Sequence, residues 1–546
     1  MSTMRKELAI FIIAAAPCLS AQDLSTEITV ERTIVPQREL SSPLQSVEPA
    51  VLGTEAPAVR LDPDELSDIP PYEPRPGFSD LQPPVRFSPS PYRGYALAGY
   101  LPAHNYNFMA GYSILNSDRT TLDAQVGVKG YSYSGWTDMQ ASKSSLLQPS
   151  AHITFFHSFA THTLLELKAG GTYDRLSDNP RLGADLHHGI TRGWLDGRLT
   201  AVSGNHRLAF DLNAHHIGIG DAVNEYPTAY SSIFLIRGEI TPKGSQGWEG
   251  AIAGGVQLRR GMEPTGYDFT SQTVGQVRLT PGYRLALGIA SLRVGLNVDM
   301  TLGGNDRGSF HFSPEVKFAM SPLTRFHVEA SVTGGNHFSS PERCYSYSPF
   351  ATGQYMFSES YTPVDARVAL TFGPWDHGKL KVYGRYSQSN DVPMPMVMRG
   401  LMTWETVKLS GFSGGAELEL KPISALKATA GIEFHQQGYE YGTPENVDRA
   451  KVVLKADLTA RITDRIHAGV GYHLRSGRAF FFTDPTSFGQ TDAGDISDLR
   501  VHADWRVLDP LTVFVTLDNL LNKHAEILPQ LRTQGFHGLV GAIYRF

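Results

Sequence analysis

From Phe536 to the final residue the side chains alternate without a break. Phe536, Gly538, Val540, Ala542, Tyr544 and Phe546 fall on one face, with His537, Leu539, Gly541, Ile543 and Arg545 between them. Successive side chains of a strand point to opposite surfaces, so this dyad separates two environments. Lipid on one surface and a wet lumen on the other is the condition of a membrane-spanning β-barrel. A chain that closes on an aromatic at such a strand, behind a cleavable leader, has the usual form of an outer-membrane barrel. Tyr544 and Phe546 are read as the assembly signal that the barrel-assembly machinery recognises. Compartment and architecture follow from this pattern; function does not.

The same rhythm recurs upstream. Leu292, Val294, Leu296, Val298 and Met300 alternate with Ser291, Arg293, Gly295, Asn297 and Asp299. Val452 to Ala460, Leu380 to Tyr386 and Val501 to Val507 repeat it, with Lys455, Asp457, Lys381, Arg385, His502 and Asp504 on the opposite side. A soluble sandwich also alternates, but seldom sets so many charges on facing strands. Hydrophobic content of 41% and a mean hydropathy of −0.21 look soluble. Barrel walls escape such averages because half of each strand is polar. The 53 glycines and 23 tyrosines suit turns, close strand contacts and interfacial girdles. A net charge of −6 is small for 546 residues and argues against a nucleic-acid binder.

Three segments are expected. Residues 1–21 read as a secretory leader: Arg5 and Lys6, an apolar run from Leu8 to Ala16, and cleavage after Ala21. Cys18 invites a lipoprotein reading, which Pro17 before it disfavours. Cleavage leaves Cys344 as the mature chain's one cysteine and excludes an internal disulfide. Residues 22–91 are rich in proline and carry Asp62, Asp64, Glu65 and Asp68. Proline removes a ladder donor, so they read as an extended arm with one β-prone run near Ile28 to Val35. Residues 92–546 read as the barrel.

Turn spacing counts the strands. Short links are expected near Asn116–Asp118, Ala160–His162, Ser203–His206, Pro242–Gly247, Gly288–Ser291, Ser321–Thr324, Pro374–Gly378, Pro422–Ala425, Thr463–Arg465 and Asp509–Leu511. Ten hairpins, a first strand near 92–101 and a last at 535–546 make an all-β, antiparallel transmembrane barrel of about 22 strands. Short turns belong to the periplasmic rim and long loops to the outside. The longest connectors are expected at about 334–362 and 388–411.

Twenty-two strands is the barrel size of TonB-dependent receptors. Leu517-Asp518-Asn519-Leu520-Leu521-Asn522-Lys523, then Gly535 and Tyr544-Arg545-Phe546, resembles that family's closing pattern over about thirty residues. Elsewhere the likeness is one of size and rhythm. The resemblance implies a globular plug ahead of the first strand, and residues 22–91 show no glycine-rich plug core. Thr26, Glu27, Ile28, Thr29 and Val30 look like the short β-prone box through which such receptors engage TonB. The competing reading is a strand-like segment lying in the lumen or on a partner. A 22-stranded lumen left open makes a leaky membrane, so the arm, inward-folded loops or another protein are expected to occupy it.

Catalysis is not expected of this chain. His187-His188 and His215-His216 are adjacent pairs, so each puts one imidazole inward, short of the three or four ligands of a zinc site. Ser309 to His311 is a pair that any chain with 19 histidines offers, and His502 with Asp504 reads as a hydrogen-bonded charged wall with Arg500 and Arg506 rather than as catalytic groups. No cofactor is expected. Tyr345, Tyr347, Phe350, Tyr355, Phe357 and Tyr361 in the longest connector suit either stacking on a ligand or partner, or packing over the barrel mouth. Met394, Met396 and Met398, among Pro393 and Pro395, suggest an apolar loop tip for a protein contact or a lid. The leading expectation is a non-enzymatic subunit of a multiprotein outer-membrane complex, for nutrient handling or surface-protein export and assembly. Its partners are membrane lipids, the assembly machinery and other envelope proteins. The alternative is a TonB-type transporter or pore importing a ligand.

Overall fold

A computed structural model describes residues 92–546, apart from 102–104, 118, 135–142, 161–162, 178–187, 222–228, 243–245, 263–268, 305–307, 324, 339–358, 376, 399–400, 440–449, 485–486, 493, 529–530 and 533–534. The leader, the arm with Thr26 to Val30, His187, and Tyr345, Tyr347, Phe350, Tyr355 and Phe357 lie outside the described residues. The described secondary structure is all β.

Among the described residues twenty-six strands follow one another. They begin with β1 (Gly94–Leu101), β2 (Asn105–Asn116), β3 (Thr120–Ser134), β4 (Lys143–Ala160), β5 (Thr163–Ser177) and β6 (His188–Ser203). Next come β7 (His206–Asp221), β8 (Ala229–Pro242), β9 (Gly247–Met262), β10 (Phe269–Leu287), β11 (Ala290–Gly303) and β12 (Ser309–Leu323). β13 (Phe326–His337), β14 (Ser360–Trp375), β15 (Gly378–Met398), β16 (Leu401–Ile423), β17 (Leu426–Tyr439), β18 (Val452–Thr463) and β19 (Ile466–Ser476) continue the series. The remainder are β20 (Ala479–Asp484), β21 (Ser487–Asp492), β22 (Ile496–Leu508), β23 (Leu511–Asp518), β24 (Glu526–Leu528), β25 (Leu531–Arg532) and β26 (His537–Arg545).

From β1 to β19 each strand pairs antiparallel with the next; β19 then pairs with β22, β22 with β23, β23 with β26, and β26 with β1. The wall is therefore a closed cylinder of 22 strands. Closure removes every sheet edge, the requirement for backbone in hydrocarbon. The seam runs from Tyr95↔Arg545 to Tyr100↔Val540, and the Arg93 amide donates to the Phe546 carbonyl at 2.8 Å. At Gly541 an added Cβ would press on the Ala98 carbonyl, the Phe514 ring and the Gly99 backbone. Glycine is needed there for the last strand to close on the first.

Each of the ten short links expected from the sequence falls between two strands paired antiparallel, at the rim that also holds Gly94 and Phe546. That is the periplasmic rim by the usual asymmetry of such barrels. One connector differs from expectation. Residues 388–411 are not a loop: β15 and β16 continue as a ribbon paired through to Met398↔Leu401. Met394, Met396 and Met398 are strand residues, paired with Glu405, Thr403 and Leu401, and not a loop tip. A two-stranded ribbon accepts Pro393 and Pro395 because an outer edge asks for no donor. The β20–β21 hairpin stands outside the wall and meets the ribbon in parallel at Val397↔Phe482 and Met398↔Thr483.

The exterior is apolar. Val294, Leu296, Met300 and Leu302 of β11 are exposed, while Asn297, Asp299 and Thr301 between them are buried. Exposed Phe159, Trp248, Trp505, Tyr544 and Phe546 ring the periplasmic rim; Tyr100, Tyr173, Phe310 and Phe312 stand nearer the other. These are the two aromatic girdles of a membrane barrel. Among the described residues no helix is long and apolar enough to cross a membrane; this chain crosses with strands.

Candidate functional site: the lumen wall

The inner face carries the chemistry, because every strand sends alternate side chains there. Between β9 and β15 these form a lattice. Glu249 receives Arg284 at 2.8 Å and also Arg293; Arg293 reaches Glu315 at 2.9 Å, and Lys317 joins Glu315 at 3.2 Å. Thr280 donates to Asn297 at 2.7 Å, and Asn297 donates to Glu315 at 3.3 Å. Asp365 is held by Arg367 at 2.6 Å and Arg385 at 2.8 Å. A buried carboxylate is tolerated only when it is paired, and each of these faces at least one guanidinium. The lattice fixes its guanidinium planes and leaves a wall with little side-chain freedom.

Within this sector the wall bends into the lumen. β13 pairs with β12 no further up than Val332↔Val316. Above that point its residues stay with β14, through Gly335↔Thr362, Asn336↔Tyr361 and His337↔Ser360, and the register slips between Thr333 and Gly335. The groups that would have continued the β12 ladder find side chains instead. Asn297 donates to the Gly334 carbonyl at 2.9 Å, Arg278 to the Asn336 carbonyl at 2.7 Å, and the Asn336 amide to Asp299 at 3.3 Å. Arg278 and Asn297 belong to β10 and β11, so the hairpin end crosses the inner side of β12 and β11. It reaches further still: Arg259 of β9, with a fully buried side chain, binds Glu359 at 2.6 Å. Phe338 lies where a Cβ on Gly255 would touch its ring. On β12 the freed Phe312 carbonyl accepts from the Tyr361 hydroxyl at 2.8 Å, and His311 stacks on Tyr361 at 4.1 Å.

Elsewhere the inner face is partly polar and partly greasy. Asp174 takes Gln148 and Arg192 at 2.5 Å each. At the seam Tyr95, Leu97, Met109, Phe514, Leu539 and Ile543 form a buried apolar strip facing inward. The lumen is thus not uniformly hydrophilic, as the alternation alone implied.

The sequence candidates fall as follows. Tyr544 and Phe546 lie on the outer face at the seam, with Phe546 stacked near Tyr112 at 6.5 Å. His215 turns inward to Asp196 at 3.0 Å while His216 bonds Ser232 at 2.8 Å, so the adjacent pair does divide. Asp504 pairs with His467 at 3.2 Å; His502, two residues away, packs over Gly469 instead. Arg500 binds Asp498 at 2.7 Å, and Arg506 donates to the Asp464 carbonyl at 2.9 Å. Among the described residues no group of three or more metal-ligating side chains converges. Met394, Met396 and Met398 are placed by their backbone alone. The inward hairpin and the Arg259–Glu359 contact were not anticipated. The available signal was Gly334-Gly335 inside a strand pattern, which marks a bulge but not its direction.

No family model matches the chain, and no curated protein matches it. Solved structures do. The FrpB iron transporter from Neisseria meningitidis superposes with a TM-score of 0.65 at 11% identity, over 83% of this chain and 81% of that one. The shared feature is the fold, a large closed antiparallel barrel. The copper transporter OprC gives 0.62 at 11% identity, over 84% and 81%. The ferripyoverdine receptor of the Pseudomonas aeruginosa outer membrane gives 0.60 at 11%, over 83% and 72%. The likeness to TonB-dependent receptors, read from thirty C-terminal residues, extends in architecture to the whole wall. At such identities it is a likeness of fold.

Proposed function

We propose that this outer-membrane barrel is a non-enzymatic transporter of the TonB-dependent type, passing a ligand through its lumen. The observation that carries this reading is the lumen wall itself. A 22-stranded cylinder with a lattice of paired Arg and carboxylate groups from β9 to β15 encloses a path wide enough to need obstruction. Structures of like fold include an iron transporter, a copper transporter and a ferripyoverdine receptor, which supports cargo movement as the use of such a wall. In this reading residues 22–91 serve as stopper, and Thr26 to Val30 engage TonB.

The test compares the full chain with a deletion of residues 22–90, each in planar bilayers with potassium chloride as the permeant. The deletion is expected to raise conductance several-fold. Equal, low conductance from both proteins, with both barrels shown folded, removes the transport reading.

A second reading is favoured by the ribbon of β15 and β16. With β20 and β21 it builds a small sheet beyond the wall, a platform suited to another envelope protein. On this view the barrel is a subunit of a multiprotein complex for nutrient handling or surface-protein export. Mass spectrometry after a mild-detergent pull-down of the native protein is expected to recover stoichiometric envelope partners. A barrel that purifies alone counts against it.

A further inference from the structure

The outer face between β5 and β9 carries two cations that the lumen wall does not use. Arg259 and Arg260 are neighbours on β9, and parity sends them to opposite sides of the wall. Inward, Arg259 is buried on Glu359, just as Arg192 is paired with Asp174 and Arg278 with Asp299. Outward, Arg260 shares its face with exposed Val256 and Leu258, and no described residue pairs with its guanidinium. Arg175 of β5 repeats the pattern. Asp174 beside it is buried inward, Tyr173 on its own face is exposed, and Arg175 too has no partner among the described residues.

A cation on the lipid-facing surface is disfavoured at mid-bilayer and tolerated near the headgroups, so height decides what it meets. Arg260 stands twelve residues beyond exposed Trp248 of the periplasmic girdle, and Arg175 twelve beyond Thr163, where β5 leaves that rim. At ~3.3 Å per residue and a tilt of ~45°, both stand about 28 Å up the wall, past an apolar band about 25 Å tall. That is the level of the outer-leaflet headgroups. Register ties the two positions together. Tyr173, Thr191, Gly218, Tyr230 and Arg260 form one unbroken cross-strand row on the outer face, with Arg175 two residues further up β5. His216, bonded to Ser232 at 2.8 Å, leans over Gly218, where a Cβ would meet its Nε2 at 3.2 Å. Four strand spacings, about 19 Å, separate β5 from β9. The surface between them bears hydroxyl and imidazole groups, whereas exposed Phe210, Phe234 and Ile236 cover the same strands lower down.

We propose that this outer face of β5 to β9 seats one molecule of the anionic glycolipid of the outer leaflet, an acylated disaccharide with a phosphate at each end. Arg175 takes one phosphate and Arg260 the other, each through the paired N–H donors of its guanidinium. Thr191, Tyr230 and His216 meet the sugar between them, and the acyl chains run down past Phe234 and Leu258. A phospholipid with a single phosphate satisfies one cation and leaves the row between unused. The seat is independent of what crosses the lumen, because its side chains face away from it.

Native mass spectrometry of the full chain in detergent micelles, titrated with bisphosphorylated lipid A, tests this. The parent is expected to retain one lipid per barrel, and Arg175→Gln combined with Arg260→Gln to weaken retention at least fivefold. Arg207→Gln, beside the periplasmic turn at the start of β7, is expected to stay within twofold of the parent. Lipid A stripped of both phosphates, and phosphatidylglycerol, are each expected to bind the parent at least fivefold more weakly. Excess inorganic phosphate is expected to displace nothing. Heat-modifiable migration identifies folded barrels, and only these are compared. A double variant that loses less than fivefold overturns the seat, as does equal retention of either control lipid or displacement by inorganic phosphate. A loss in Arg207→Gln as large as the double variant's reduces the binding to general charge attraction and overturns it too. No transported solute enters the measurement, so its failure leaves the transport reading standing.

Discussion

At the scale of single residues the wall is governed by parity. Leu296 faces lipid and Asn297, its neighbour, faces the lattice. Leu296→Arg is expected to destabilise the refolded barrel by about 2–4 kcal/mol if the site lies near the bilayer midplane. Urea titration in liposomes measures it. Inside, Arg278→Ala removes the guanidinium paired with the buried Asp299 carboxylate, leaving it the Asn336 amide, and frees the Asn336 carbonyl. Removing one member of such a pair costs roughly 3–5 kcal/mol, so the same titration is expected to show a loss as large as that of the lipid-facing arginine. At the seam, Gly541→Val places a branched side chain against the Ala98 carbonyl and the Phe514 ring. The expected outcome is a chain that fails to show the folded, heat-modifiable band. Parity was legible in the sequence because a strand has a period of two. The lattice partners were not, since Arg293 meets Glu249 across β10, and no one-dimensional pattern encodes that pairing.

Among the elements, nine of the ten short periplasmic links were readable because each interrupts alternation with Gly, Pro, Asn or Asp; Ala160–His162 has none of these. The ribbon was misread for the same reason. Pro393 and Pro395 look like breakers, yet both sit in β15, opposite Thr406 and Trp404. Beyond the wall a proline costs little, because no third strand needs its donor there. Replacing residues 392–407 with a two-residue Asn-Gly turn is expected to leave the barrel folded and heat-modifiable. If the ribbon seats an envelope partner, the same replacement abolishes co-purification; undiminished capture assigns that contact elsewhere. The inward bend of β13 and β14 escaped the sequence entirely. Gly334-Gly335 permits a bend, but the direction is set by Asn297, Arg278 and Arg259 on strands remote in sequence.

For the molecule as a whole, strand number and closure were counted correctly from turn spacing, and the match to solved transporters over 83% of the chain agrees with that count. What enters the lumen was not legible. Polarity of the inner face is common to pores, receptors and assembly subunits alike, and the apolar strip at the seam adds no name to a ligand. Energised import and passive leakage separate by experiment. Val30→Pro is expected to abolish uptake that depends on the proton gradient while leaving potassium chloride conductance unchanged, because it alters only Thr26 to Val30. Uptake that survives the substitution removes the TonB contact.

Because β1 finds its second wall neighbour in β26, the first wall strand waits for the nine residues His537–Arg545 before its outer amides are satisfied. Every earlier species is an open sheet with two sticky margins. A chain without β26 therefore keeps both margins unpaired, and the cylinder cannot close on itself.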